Sequence, residues 1–332
     1  MKFHFRKATS VFIKTLPFVA LRVVAGALFG LITALYFGIV GWVLLSLLDS
    51  GTISVLIAGV GLLVATLIFL GVVRFARKYV LYLVDAGHIA VIAHTIDTGT
   101  TPANQWSFGT NAVKGNFTEA SSLFVVDQLI KSVVKQFNRS VISFSGLVDF
   151  VPTLETILTF LRRGIALAAS YIDEAILAHT FLNPEQNNWR AARDGVVLYG
   201  KTWKSVLGST LLIVGGMYVV TFALLFLLSP LAGVLGGMSS TFEVLGWVVV
   251  FGIALTIYLG VLRPWVKTVV ITTFLIESRN KTPDSNMMDS IAGRSKKFKE
   301  LMANAEAESD DERPTDPTED GDSPEKNRRS PG

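Results

Sequence analysis

Residues 23–73 read VVAGALFGLITALYFGIVGWVLLSLLDSGTISVLIAGVGLLVATLIFLGVV. The first part, 23–48, runs 26 residues without a charge, and 53–73 runs 21 more, with only Asp49, Ser50, Gly51 and Thr52 between them. At about 1.5 Å rise per residue, a helix made of either run reaches across the ~30 Å hydrocarbon core of a bilayer. A helix is the natural form, because lipid offers no partner to an unpaired backbone N–H or C=O. The stretch therefore predicts a transmembrane hairpin, with spans 23–48 and 53–73.

A second hairpin lies far downstream. Residues 206–228 are 23 uncharged residues and 244–262 are 19 more, joined by a Gly-rich connection over 231–243. Both hairpins end on basic pairs, Arg74 and Lys78 after the first, Arg263 and Lys267 after the second. Both also begin alike: Arg6, Phe12, Lys14 and Thr15 stand against Arg193, Tyr199, Lys201 and Thr202 at a constant offset of 187. The pattern predicts an all-α integral membrane protein, with two hairpins in parallel repeat, cytoplasmic or interfacial amphipathic helices between them and a disordered C-terminal tail. The expected divisions are a basic amphipathic lead-in (1–22), the first hairpin (23–73), a helical domain (74–203), the second hairpin (204–262), an interfacial helix with a basic juxtamembrane segment (263–302) and an acidic tail (303–332).

Composition agrees, with 51% hydrophobic residues, 17% charged residues and a mean hydropathy of +0.50. There is no cysteine, which excludes disulfides, thiolate nucleophiles and cysteine metal sites. The body is basic and the end acidic: residues 303–332 hold 10 acidic and 4 basic side chains, the rest 16 acidic and 26 basic. From about Ala303 the chain has too few apolar groups to offset chain entropy, so it is expected to be disordered.

Orientation follows from lysine and arginine. The connections 49–52 and 231–243 contain neither, whereas every other flank is basic. This places both termini and the middle segment in the cytoplasm of a multi-pass cell-membrane protein. The basic residues are scattered along flanks without aromatic interleaving, so no nucleic acid is implied. The lipid bilayer is the expected partner. Its anionic heads would meet the surface helices: the rows Val11, Phe12, Thr15, Phe18 and Val19, the stretch 265–277, and Lys296, Lys297 and Lys299 beside Phe298 and Leu301.

In the first span Gly26, Gly30, Ala34 and Gly38 recur every four residues, and in the last Gly252, Thr256 and Gly260 do the same. Such stripes let helices approach closely where lipid supplies no hydrophobic drive, within one chain or in a homo-oligomer. Gly61 and Ala65 offer a weaker counterpart on the second span.

The middle segment has its own helical pattern. Val126, Ile130, Val133, Phe137, Val141, Phe144 and Val148 form one stripe, with Asp127, Lys131, Lys135 and Arg139 on another face. Ile157, Leu161, Ile165, Ala168, Ile172 and Ile176 form a second stripe after Pro152. Residues 74–95 and 188–205 are further helices, and 99–111, with Pro102, is read as a loop. The apolar run 165–182 is long enough to suggest crossing, but Asp173, Glu174 and His179 make that costly, leaving four spans.

Three histidines sit near carboxylates. Asp85 and His88 share a helix face, His94 lies within two turns, and Asp173, Glu174 and His179 form a second set. Imidazole with carboxylate suits zinc, manganese or iron, or a proton relay, so these six residues are the candidate metal ligands. Their spacing matches no metal box, phosphate loop or nucleophile elbow, and hydrogen-bonded interfacial residues are the competing explanation. No cofactor is predicted. No charge lies inside any of the four spans, which argues against a pump using midplane groups.

The stretches YLVDAGHIAVIAHTID, SSLFVVDQLIKSVVKQFNR, SYIDEAILAHTF and NNWRAARDGVVLYGKTWKSVL resemble a family of membrane proteins from archaea, especially haloarchaea, with no assigned activity. The resemblance covers most of 74–210 and reaches 295–302. It implies an archaeal plasma membrane and a defined middle domain, and it carries over no functional residue. The expected role is non-enzymatic, in membrane transport or membrane organisation. The alternatives are a membrane-bound metal enzyme using the His/carboxylate set and a docking subunit for a soluble protein partner.

Overall fold

The computed structural model describes residues 4–116, 120–141, 154–237 and 240–311. Every element in them is helical: α1 (Phe5–Lys14), α2 (Leu16–Asp49), α3 (Val55–Thr98), α4 (Gln105–Asn116), α5 (Ala120–Val141), α6 (Leu154–Phe181), α7 (Asn188–Gly236), α8 (Ser240–Ile257), a π-helical turn (Tyr258–Leu262), α9 (Arg263–Ser278), α10 (Ser285–Ala292) and α11 (Lys296–Asp311). Four helices are long and apolar enough to cross a membrane: Leu16–Asp49, Val55–Thr98, Asn188–Val234 and Gly246–Ser278. The run 165–182 is not among them; its half of α6 lies in a helical core.

The spans do not end where their apolar runs end. α3 continues without a break from the first hairpin into the domain, and α7 rises from the domain into the second. Polar groups along the apolar stretches are satisfied locally. Thr33, Thr66, Thr221 and Thr256 each donate to the carbonyl four residues back. Pro230 has no N–H for the Phe226 carbonyl, and the Ser229 hydroxyl donates to it instead at 2.8 Å. Pro264 likewise cannot donate to Gly260, and the helix widens into its π turn just before it.

The core below the hairpins is built around α9, which packs against α1, α3, α6 and α7. The sequence suggested a surface helix over 265–277. Instead Val266, Val269, Val270, Ile271 and Phe274 are all buried, and Thr268, Thr272 and Thr273 hide their hydroxyls on carbonyls one turn back. A helix apolar on every side is a core helix unless lipid surrounds it.

The other surface helices are also turned inward. Val11, Phe12, Thr15, Phe18 and Val19 are buried rather than laid on lipid, and Phe298 and Leu301 are buried in the main core. The stripe of α5 is buried at Val126, Ile130, Val133 and Phe137, as its spacing predicts, but Asp127 on the neighbouring face is buried too. Phe144, Val148 and Pro152 lie outside the described residues.

Three boundaries shift. The 99–111 loop shrinks because α4 starts at Gln105; the 231–243 connection shortens because α7 runs to Gly236; and helix α11 extends through Asp311 into the expected tail. Residues 312–332 lie outside the described residues.

The glycine stripes are not what holds the hairpins together. A Cβ placed on Gly26, Gly30, Gly38, Gly252 or Gly260 meets nothing within 4 Å, and Ala34 and Thr256 are exposed. Close packing in the second hairpin uses Gly246, Val250 and Ala254, a stripe offset from the expected one; a Cβ on Gly246 would lie 2.8 Å from Ala232 Cα. In the first hairpin Gly61 faces Leu44, Tyr36 donates to the Ala65 carbonyl at 3.1 Å, and Tyr36 stacks on Phe69 with centroids 4.0 Å apart.

Candidate functional site

Where the hairpins enter the domain, seven charged side chains from five helices meet. Arg22 comes from the root of α2, Asp85 from α3, Asp127 and Lys131 from α5, Asp173 and Glu174 from α6, and Lys267 from α9. Arg22 Nη1 donates to Asp85 Oδ1 at 2.8 Å. Lys267 Nζ sits 3.4 Å from the same Asp85 oxygen and 3.2 Å from Glu174 Oε1. Lys131 Nζ donates to Asp127 Oδ2 at 2.5 Å and lies 3.6 Å from Asp173 Oδ2. Asp173 Oδ1 accepts the Glu174 N–H at 2.9 Å.

The local sequence explains the convergence. Lys267 is the lone charge in the apolar stretch 264–276, so wherever α9 is buried this ammonium is carried inside. Asp173 and Glu174 sit in the inner half of α6 among Ala168, Ile172 and Ile176, each fully buried. Burying an ion costs several kcal/mol unless a partner compensates it, which is why the carboxylates gather on Lys267 and Lys131.

Compensation is incomplete. Lys267 is 2% exposed, and its ammonium makes ion pairs but no well-formed hydrogen bond. Among the described residues, Asp173 Oδ2 and Glu174 Oε2 also find no hydrogen-bond donor. Burial, outweighing the attraction of Lys131, and repulsion from Glu174 and Asp127 push the Asp173 carboxyl well above the usual range. Burial likewise raises Glu174 against the pull of Lys267, and Asp127 against that of Lys131. For Lys131, burial acts to lower its pKa, but Asp173 and Asp127 outweigh it and the net shift is upward.

The six candidate ligands do not form one site. Asp85, Asp173 and Glu174 join the network, whereas the histidines turn elsewhere. His88 stacks on Phe18, rings 4° from parallel and centroids 5.4 Å apart. Its Nε2 lies 3.1 Å from Thr15 Oγ1, which itself donates to the Phe12 carbonyl, so Nε2–H is the donor to Thr15. His94 packs on Phe108 with centroids 4.6 Å apart. His179, held below its usual range by burial, is at the far end of the domain beside Asn183. There it lines a cavity of about 250 Å³ with Asp97, Ser278, Arg279 and Lys281.

Among the described residues no three His, Asp or Glu side chains are arranged to hold a metal ion. The His/carboxylate expectation is corrected on geometry: lysine and arginine, not imidazole, occupy the space between the carboxylates. Sequence reasoning did not single out Arg22 and read Lys267 as a basic flank. The available signal was a lysine isolated within an apolar run after the last span.

No family model, no curated protein and no solved structure matches the chain.

Proposed function

We propose that the chain is a multi-pass cell-membrane protein with its helical domain and both termini in the cytoplasm, serving a non-enzymatic role in membrane transport or membrane organisation. One observation carries this reading. Arg22 belongs to the first hairpin and Lys267 to the helix that continues the second, and both grip Asp85. One carboxylate thus fastens the roots of both hairpins to one domain, so a shift in the domain is transmitted to both. Large apolar side chains remain open along all four spans, as lipid-facing surfaces require. Trp42 near the outer turn and Tyr79 near the domain are exposed at depths that suit the two interfacial belts. The archaeal plasma membrane suggested by the sequence resemblance belongs to the same proposal.

The chain has no cysteine, so single introduced cysteines test the topology cleanly. Ser50→Cys is expected to react with an impermeant thiol reagent from outside intact cells, and Lys281→Cys only after lysis; the reverse pattern overturns the orientation. For the role, a liposome flux screen with ions and small solutes should reveal permeation that Asp85→Asn alters. Absence of flux removes transport and leaves membrane organisation.

A further inference from the structure

Beneath the hairpins the ion pairs join four carboxylates (Asp85, Asp127, Asp173 and Glu174) to three cations (Arg22, Lys131 and Lys267). These partners are not shared evenly. Asp85 has Arg22 at 2.8 Å and Lys267 at 3.4 Å; Asp127 has Lys131 at 2.5 Å; Glu174 has Lys267 at 3.2 Å. Asp173 is left with Lys131 at 3.6 Å, beyond hydrogen-bond reach, on a side chain of 0% exposure whose Oδ2 has no donor among the described residues. Only the Glu174 N–H on Oδ1 and the distant Lys131 support an ionised carboxylate there, so the charge is incompletely compensated, whereas the protonated form is neutral.

We propose that Asp173 is a proton-binding site, holding one exchangeable proton at the junction between the domain and the two hairpins. The surroundings of Asp173 favour the neutral form from most sides. α5 brings Asp127 and Lys131, already paired with each other; α6 brings the adjacent Glu174; α3 brings Asp85 and Tyr82; and α9 brings Lys267, engaged by Asp85 and Glu174. Arg263 at the start of α9 acts on Tyr171, one turn nearer the hairpins. α7, the remaining helix packed on this part of α6, keeps Arg193 and Asp194 paired with each other at 2.8 Å, near His179.

Loss of the proton would place a second full negative charge beside Glu174 and draw Lys131 and Lys267 away from their present partners. Lys267 also holds Asp85, so the charge state of Asp173 is felt at the tie between the hairpins. The site stands whether the hairpins move a solute or organise the bilayer.

The test is an infrared pH titration of the full chain in nanodiscs, following the carboxylic-acid C=O band in H₂O and D₂O. Ordinary carboxyls lose this band well below neutral pH. The expected result is a band worth about one carboxyl per chain that survives at neutral pH, fades at higher pH and is absent in Asp173→Asn. In Glu174→Gln and Asp127→Asn the band should persist but titrate at lower pH, since each variant removes a repelling neighbour. These two variants also decide the matter if Asp173→Asn does not fold. The proposal is overturned if the wild type has no such band at neutral pH, if Asp173→Asn keeps it, or if the band in either neighbouring variant titrates at the wild-type pH or above it. Thermal stability gives a second readout. A carboxyl raised on folding contributes stability present at low pH and lost as pH rises towards its folded value, so wild-type stability should decline over that window and Asp173→Asn should flatten the decline.

Discussion

The outer and inner halves of α3 are both apolar, yet they meet different surroundings. Leu56, Leu67 and Phe75 stand exposed along the outer half, with Leu67 at 62%. Ile89, Ile92 and Ile96 in the inner half are shut into the core, with Ile92 at 0%. Charge separates the two halves: Asp85, His88, His94 and Asp97 interrupt the inner one, whereas the outer one has no charge before Arg74. The inner half places Ala86, Gly87, Ala90 and Ala93 where other helices close in, and a Cβ on Gly109 of α4 would lie 2.8 Å from the Gly87 carbonyl oxygen. It also carries Asp85 and His88, which lipid would penalise and which this core satisfies with Arg22, Lys267 and Thr15. A helix can therefore change solvent midway without changing its backbone, provided its side chains change in kind.

Substitutions can break or sharpen this contrast. The largest effect is expected at Lys267, where the inner half depends on charge. Lys267→Met leaves Asp85 and Glu174 short of a buried counter-ion and should destabilise the domain by about 3–5 kcal/mol in denaturant unfolding. Losses below about 1 kcal/mol would mean that the network is not structurally important. Next comes a matched pair in α3. Ile92→Ala should cost about 2–5 kcal/mol through a core cavity, while Leu67→Ala, on an exposed side chain, should stay within about 1 kcal/mol. Equal costs would show that the two halves are packed alike. The smallest contrast sets two glycines of α8 against each other. Gly246→Val should cost about 1–3 kcal/mol by forcing α7 and α8 apart at Ala232, whereas Gly252→Val should be nearly silent in the same denaturant unfolding. A cost at Gly252 would indicate that its open face is covered by another chain.

Much of the architecture was legible before any coordinates. Length and absence of charge marked the four stretches long and apolar enough to cross a membrane, since no other composition tolerates some 20 residues in lipid. The α5 stripe was legible for a similar reason: its spacing of three and four fits only one face of a helix. The charged site was only half legible. Asp85, Asp173 and Glu174 were singled out, but with the wrong partners, because histidine beside carboxylate along the chain says nothing about which helix lies opposite. Lys267 looked like a topology signal and Arg22 drew no notice, because a basic residue at a span boundary reads the same whether it faces lipid heads or a buried carboxylate. The amphipathic lead-in and the 295–302 segment show the same ambiguity. An apolar face beside lysines suits a bilayer surface and a protein groove equally, and only the neighbouring helices decide.

The sequence by itself determined that the chain is helical and carries four apolar runs of bilayer length, since backbone hydrogen bonding and hydrocarbon thickness leave no other form for them. Only the tertiary structure decided that α9 is the centre of a core and that Gly246 rather than Gly252 bears the contact in the second hairpin. It alone brought Arg22, Asp85, Asp173, Glu174 and Lys267 together across 245 residues of sequence. Periodicity and composition are properties of one segment, whereas the identity of a buried charge's partner depends on where every other segment comes to lie.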